Sequence, residues 1–214
     1  MKLNIDKSKL MLFNPCKTLD FKPNIELSNK KLDLVEKTNL LGIMVSSDLS
    51  WENNTDFIVQ RCNQRIWILR RLKKLGARIN DLLDVYVKQI RSIAEYAVPV
   101  WNFSLTGSQI AKLERIQKTA FHVILGRSYT SYSSALKILK MKKLSERRGK
   151  LCLKFALKCE KHSKFKKWFK PTEKNLSTRN KPSKYTKAFT MTKRFEKSPL
   201  PYLTDLLNLY YRKK

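Results

Sequence analysis

Acidic residues are scarce in this chain. Of its 214 residues, 17 are Asp or Glu, against 46 Lys or Arg. Other shortages narrow the field further. Only 5 Gly and 7 Pro are present, which argues against a loop-rich or all-β protein, and no Gly-rich phosphate loop occurs. The four cysteines, Cys16, Cys62, Cys152 and Cys159, are scattered and form no C-x-x-C pair. That pattern predicts reduced thiols in a cytoplasmic or nuclear protein. No apolar run reaches the roughly 18 residues a membrane helix needs. Polar residues interrupt Met1-Lys2-Leu3-Asn4-Ile5-Asp6, so no signal peptide is expected there. No Ser-His-Asp or Cys-His arrangement stands out.

What is present is a basic chain, 42% hydrophobic and long enough for one or two packed domains. The formal net charge is +29, and it is unevenly spread. Residues 1–106 carry 17 basic and 11 acidic side chains, whereas residues 107–214 carry 29 and 6. Such a field draws polyanions. The expected partner is RNA or DNA, held through phosphates with counterion release and largely without sequence preference. No membrane partner is expected, because no basic stretch is joined to a strongly apolar helix face.

The pattern along the chain changes once, near Asn54. Before it, Lys9 to Phe13 reads as a strand closed by Asn14-Pro15. Asn24 to Leu27 and Lys31 to Val35 form a hairpin around Ser28-Asn29-Lys30, and Leu40 to Ser46 is a further strand. After it, Ile58, Cys62, Ile66, Leu69, Leu72 and Leu75 recur at helical spacing. Asn53 or Asn54 is the expected N-cap of that helix and Gly76 its stop. A second helix from Asn80 turns Leu83, Val87, Ile90, Ala94 and Ala97 inward and ends at Pro99. Thr106 with Gln109 predicts a capping box for a third, with Ile110, Leu113, Ile116, Ala120 and Ile124 inward and Gly126 as terminator. Ser131 to Leu139 and Ser145 to His162 follow, the latter with Leu151, Phe155 and Cys159 as its stripe. Lys164 to Lys197 reads as an extended, poorly packed linker, and Tyr202 to Tyr210 as a terminal helix. The expected fold is α+β, mostly α: a small incomplete antiparallel sheet, a helical bundle and a basic C-terminal tail.

Three stretches carry a likeness to a known family. The first is Leu40-Leu41-Gly42-Ile43-Met44-Val45 with Asp48-Leu49-Ser50-Trp51. The helical blocks Trp67 to Gly76, Ile90 to Trp101 and Leu113 to Ala120 follow it. Asn4-Ile5-Asp6-Lys7-Ser8-Lys9 precedes it. In order and spacing these resemble the post-palm region of reverse transcriptases from non-LTR (LINE-like) retrotransposons, from about Leu3 to Asn208. The resemblance implies a partial palm with a primer-grip-like strand over residues 1–50. It implies a thumb-like bundle over 51–126, a basic helical connection over 127–163 and a weakly ordered tail over 164–214. It assigns Lys7 and Lys9 to the last palm motif, and Leu41, Gly42 and Ile43 to holding the primer end. Such polymerases use two divalent metals, magnesium, on palm carboxylates that include an Asp-Asp pair. No Asp-Asp pair occurs in this sequence. The expectation is therefore the C-terminal part of such a polymerase, binding template–primer without polymerase activity of its own and without a cofactor. Two alternatives stay open: a basic helical protein-interaction module whose sheet edge pairs with a protein partner, and a decayed element copy with no selected function.

The residues expected to meet nucleic acid are Arg61, Arg65, Arg70, Arg71, Lys73 and Lys74, with Arg147 and Arg148 further on. Between Gln60 and Asn80 no acid is available to form i,i+4 pairs with the first six. Aromatics interleaved with the 22 Lys and Arg of Lys137 to Lys197 would suit single strands. Cys152, Cys159 and His162 lack metal-ligand spacing and read as two buried thiols beside a surface histidine. Trp51, Trp67, Trp101 and Tyr96 read as core. Glu95 reads as a partner for a thumb arginine.

Overall fold

A computed structural model describes residues 4, 7–13, 23–27, 30–172 and 183–213. The Asn14-Pro15 turn, Cys16, Ser28-Asn29, Ile5 and Asp6 fall outside the described residues. Four short strands come first: β1 (Glu26–Leu27), β2 (Lys30–Lys31), β3 (Lys37–Leu40) and β4 (Ile43–Ser46). They pair antiparallel as two separate two-stranded sheets, β1 with β2 and β3 with β4. Helices follow: α1 (Glu52–Lys74), α2 (Ile79–Val85), α3 (Ser92–Glu95), α4 (Val98–Trp101), α5 (Gly107–Leu125), α6 (Tyr132–Ile138), α7 (Leu144–Lys161), α8 (Lys193–Glu196) and α9 (Pro199–Arg212). The protein is thus α+β and mostly helical.

Two compact units divide the chain, Met1–Ile58 and Val59–Lys214, and the boundary lies inside α1. Residues 59–214 stay together because α7 packs against α4, α5 and α9.

In the first unit the pattern was only partly informative. Lys9 to Phe13 is not a strand: Leu10 makes a single parallel bridge to Leu34. Leu41 and Gly42 are not strand residues either. They form the two-residue β3–β4 turn, with φ of 50° and 81°, the positive values that a tight hairpin demands. Asn39 Oδ1 accepts the Gly42 N–H at 2.9 Å and fixes that turn. Asn53 and Asn54 do not cap α1, which starts at Glu52. Their side chains serve β4 instead: Asn54 Oδ1 accepts Met44 N–H at 3.1 Å, and Asn53 Nδ2 donates to Ser46 Oγ at 3.0 Å.

In the second unit the inner face of α1 is Cys62, Ile66 and Leu69, all buried. Leu75 is 82% exposed, because Gly76 at φ 83° has already ended the helix beside it. The run from α2 through α3 buries Leu82, Tyr86, Ile90 and Ala94, and Val98 at the start of α4 continues the series, a strict four-residue repeat rather than the expected Leu83 and Val87 face. Every fourth residue of an α-helix drifts about 40° round the axis. Here Tyr86–Arg91 is a π-helical segment, whose wider turns oppose that drift and keep the stripe aligned. Pro99 does not end this helix; it opens α4 after a break at Ala97, where φ is 47°. The capping box forms as spaced: Thr106 accepts from Gln109 N–H, and Gln109 Oε1 accepts Thr106 N–H at 2.8 Å. Along α5, Leu113, Ile116, Ala120 and Ile124 are buried, while Ile110 is exposed.

The tail is packed where aromatics anchor it. Phe169 and Tyr185 are buried with ring centroids 5.6 Å apart. Asn208 of α9 brackets the Tyr185 backbone, accepting its N–H and donating to its C=O, each at 2.9 Å. The described parts of the Lys164 to Lys197 stretch, residues 164–172 and 183–197, therefore depart from the extended linker expected of it. Weak periodicity concealed two short segments that meet only across a gap in sequence. No helix among the described residues is long and apolar enough to cross a membrane.

Candidate nucleic-acid interface

Helix α1 presents cations because its apolar stripe is narrow. With Cys62, Ile66 and Leu69 turned inward, Arg61 and Arg65 fall on one flank, Arg70 on the other, and Trp67, Arg71 and Lys74 on the outer ridge. Arg61, Arg65, Arg70, Arg71 and Lys74 are all exposed. No Asp or Glu occurs between Asp56 and Asp81. Among the described residues no carboxylate is paired with Arg65, Arg70, Arg71 or Lys74. From Arg61 to Lys74 the ridge runs about 20 Å at the α-helical rise, roughly six nucleotide steps at the spacing of a duplex strand.

Trp67 is not core. It is 58% exposed, and the Arg71 guanidinium lies 5.2 Å from its ring centroid, a cation–π pair that holds the arginine extended over the ridge. Its place beside Ile66, about a quarter-turn off the buried stripe, was the signal available in the sequence. Lys73 departs from the set. Its Nζ donates to the Ile124 carbonyl at 3.0 Å, where a cation meets the C-terminal end of α5.

Arg147 and Arg148 are the larger corrections. Arg147 forms a two-point pair with Glu95, Nη2 to Oε2 at 3.0 Å, and Arg91 approaches the same carboxylate at 3.7 Å. The Glu95 hydrogen bond raises the Arg147 pKa further. Arg148 is 1% exposed and donates through Nε to Asn102 Oδ1 at 3.0 Å. Burial lowers its pKa and keeps it from any phosphate. The stripe of α7 is Leu144, Arg148, Cys152, Ala156 and Cys159, not Leu151 and Phe155, because the side that meets α4, α5 and α9 is the one withdrawn from water.

The start of α7 is held by a residue the sequence did not single out. Glu114 of α5 accepts Leu144 N–H at 3.1 Å and Ser145 N–H at 3.0 Å, and also the Tyr132 hydroxyl. A carboxylate at a helix N-terminus satisfies orphan donors and opposes the helix dipole.

The remaining sites do not join this surface. Lys7 and Lys9 are exposed, Leu41 and Gly42 are exposed at the hairpin turn, and Ile43 is half-buried in β4. Burial pushes the Cys62 thiol up to about 12 and the Cys152 thiol up to about 11. Cys159 is buried and His162 exposed; among the described residues no three metal-ligating side chains are grouped. Trp51 and Trp101 are core, while Tyr96 is half exposed. In comparisons with protein-family models, curated proteins and solved structures, nothing matches this chain.

Proposed function

We propose that this protein is a nucleic-acid-binding module of the reverse-transcriptase kind, thumb-and-connection-like. In this reading it grips a template–primer duplex through α1 without sequence preference, in the cytoplasm or nucleus, and has no polymerase chemistry of its own. One observation carries the reading: the outer surface of α1 holds Arg65, Arg70, Arg71 and Lys74, with no carboxylate partner among the described residues, beside an exposed Trp67. Solvated helix faces ordinarily interleave acids to balance such charge. A duplex backbone supplies the missing anions, and arginine suits phosphate through its planar fork. The lack of an Asp-Asp pair supports the absence of metal-dependent nucleotide joining.

The test is binding to a labelled RNA–DNA duplex at low and high salt, with magnesium and nucleotides present. Binding should weaken steeply with salt, and no primer should be extended. Four phosphate contacts predict a log–log slope near −3.6, at about 0.9 per contact. Salt-insensitive binding would overturn the duplex reading, and extension would overturn the claim of absent chemistry.

A second reading, protein docking, is favoured by the β3–β4 hairpin, where Leu40 and Leu41 are 59% and 83% exposed. It predicts partner capture that survives high salt, because apolar contacts are not screened.

A further inference from the structure

A second basic surface is built differently from α1. A cleft of about 910 Å³ lies at the end of α7, lined by Lys161, Lys166, Lys167, Lys170 and Lys184 and, among the described residues, by one carboxylate, Glu160. That carboxylate is fully engaged. It accepts Lys184 Nζ at 2.7 Å, the Tyr211 hydroxyl at 3.0 Å and the Tyr185 hydroxyl. These bonds fix two tyrosines in the cleft wall and set Lys184 Nζ 3.7 Å from the Tyr211 ring centroid. Lys161, Lys166, Lys167 and Lys170 are exposed, and among the described residues no carboxylate is paired with them.

The turn that supplies Lys166 and Lys167 also carries an aromatic ladder. His162, Phe165 and Trp168 recur every third residue, the spacing that a tight turn stacks on one side. Successive ring centroids are 4.8 Å apart. Phe165 and Trp168 remain 38% and 45% exposed. Exposed rings beside unpaired ammonium groups match the alternation of base and phosphate along a single strand. A duplex hides its base faces, so it offers the rings nothing to stack on, and a membrane or acidic peptide offers no flat π-face at that spacing.

We propose that this cleft and ladder form a single-strand-binding site, with bases stacking on Phe165 and Trp168 and phosphates meeting Lys166, Lys167 and Lys170. This assignment does not depend on α1 gripping duplex.

The test uses the full chain with labelled oligouridylate and, in parallel, an RNA–DNA duplex of equal length, each titrated with salt. The double variant Phe165→Ala/Trp168→Ala removes two partly exposed rings. It should weaken oligouridylate binding by about tenfold or more, leave the salt slope unchanged and leave duplex binding intact. Lys166→Ala/Lys167→Ala should flatten the oligouridylate slope by about 1.4. Arg65→Ala/Arg71→Ala should do the reverse, weakening the duplex and sparing the single strand, so failure of the α1 reading shows only in the duplex arm. The proposal is overturned if the aromatic variant leaves oligouridylate binding unchanged, or weakens both ligands alike. It is equally overturned if polyglutamate competes for the site as well as unlabelled oligouridylate does.

Discussion

Helices α1 and α7 are both long and rich in cations, yet they deploy them in opposite ways. On α1, Arg65, Arg70 and Arg71 are exposed, and among the described residues no carboxylate is paired with them. On α7, Arg147 is paired with Glu95 and Arg148 is buried against Asn102. The difference does not lie in the helices' own charge patterns. It lies in what packs against them: α7 is held against α4, α5 and α9, and Glu95 at the end of α3 and Asn102 just after α4 meet its arginines, while the outer half of α1 is left to solvent. A basic helix is a binding surface only where the rest of the chain leaves it unanswered.

The comparison breaks most severely at the start of α7. Glu114→Ala removes three accepted hydrogen bonds and the helix cap together, and should lower stability by about 2–4 kcal/mol in urea unfolding. A loss below about 1 kcal/mol would mean that α7 is not held by this carboxylate.

Next in size is a crossed pair of arginine variants. Arg65→Ala/Arg71→Ala should flatten the duplex salt slope by about 1.8 while changing stability by no more than about 0.5 kcal/mol. Arg147→Ala should leave that slope alone and cost about 1–3 kcal/mol, because Glu95 is left desolvated without its closest partner. If both variants move the same quantity, the contrast between the helices fails.

The two surfaces should also part with pH. Burial alone would push the Glu160 carboxyl up; the bonds from Lys184, Tyr185 and Tyr211 outweigh it and hold the carboxyl below its usual range. A depressed folded-state pKa stabilises fully above the unfolded value, about 4.3 for Glu, and its contribution is lost as pH falls through the folded value. Near-ultraviolet circular dichroism should therefore show the tyrosines around Glu160 loosening below about pH 4, with the step absent in Glu160→Gln.

The smallest effect is expected at Arg148→Met. It removes a buried guanidinium whose Nη1 has no hydrogen-bond partner, and it deprives Asn102 Oδ1 of a donor. These oppose each other, so the urea midpoint should reflect a change within about 1 kcal/mol.

Some of this was legible before any coordinates. Thr106 with Gln109, and the stops at Gly76 and Gly126, announce themselves because a cap or a positive-φ turn involves residues within a few positions of one another. The inward face of α1 was legible for the same reason, since one helical period repeats without interruption from Ile58 to Leu69. The helix after it was misread by one residue because a π segment resets the phase, and no local residue type signals that change. Residue type alone places Trp67 in the core, whereas it is 58% exposed.

Residue order alone thus settles the mostly helical α+β character, the strong basic field and the acid-free run through α1. Each depends on composition or on neighbours a turn apart. Which cations remain available is settled by packing. Glu95 reaches Arg147 across 52 positions, Asn102 reaches Arg148 across 46, and Ile124 reaches Lys73 across 51. An exposed and a buried arginine are the same letter in sequence, and the desolvation and pairing that separate them exist only once distant segments have come together.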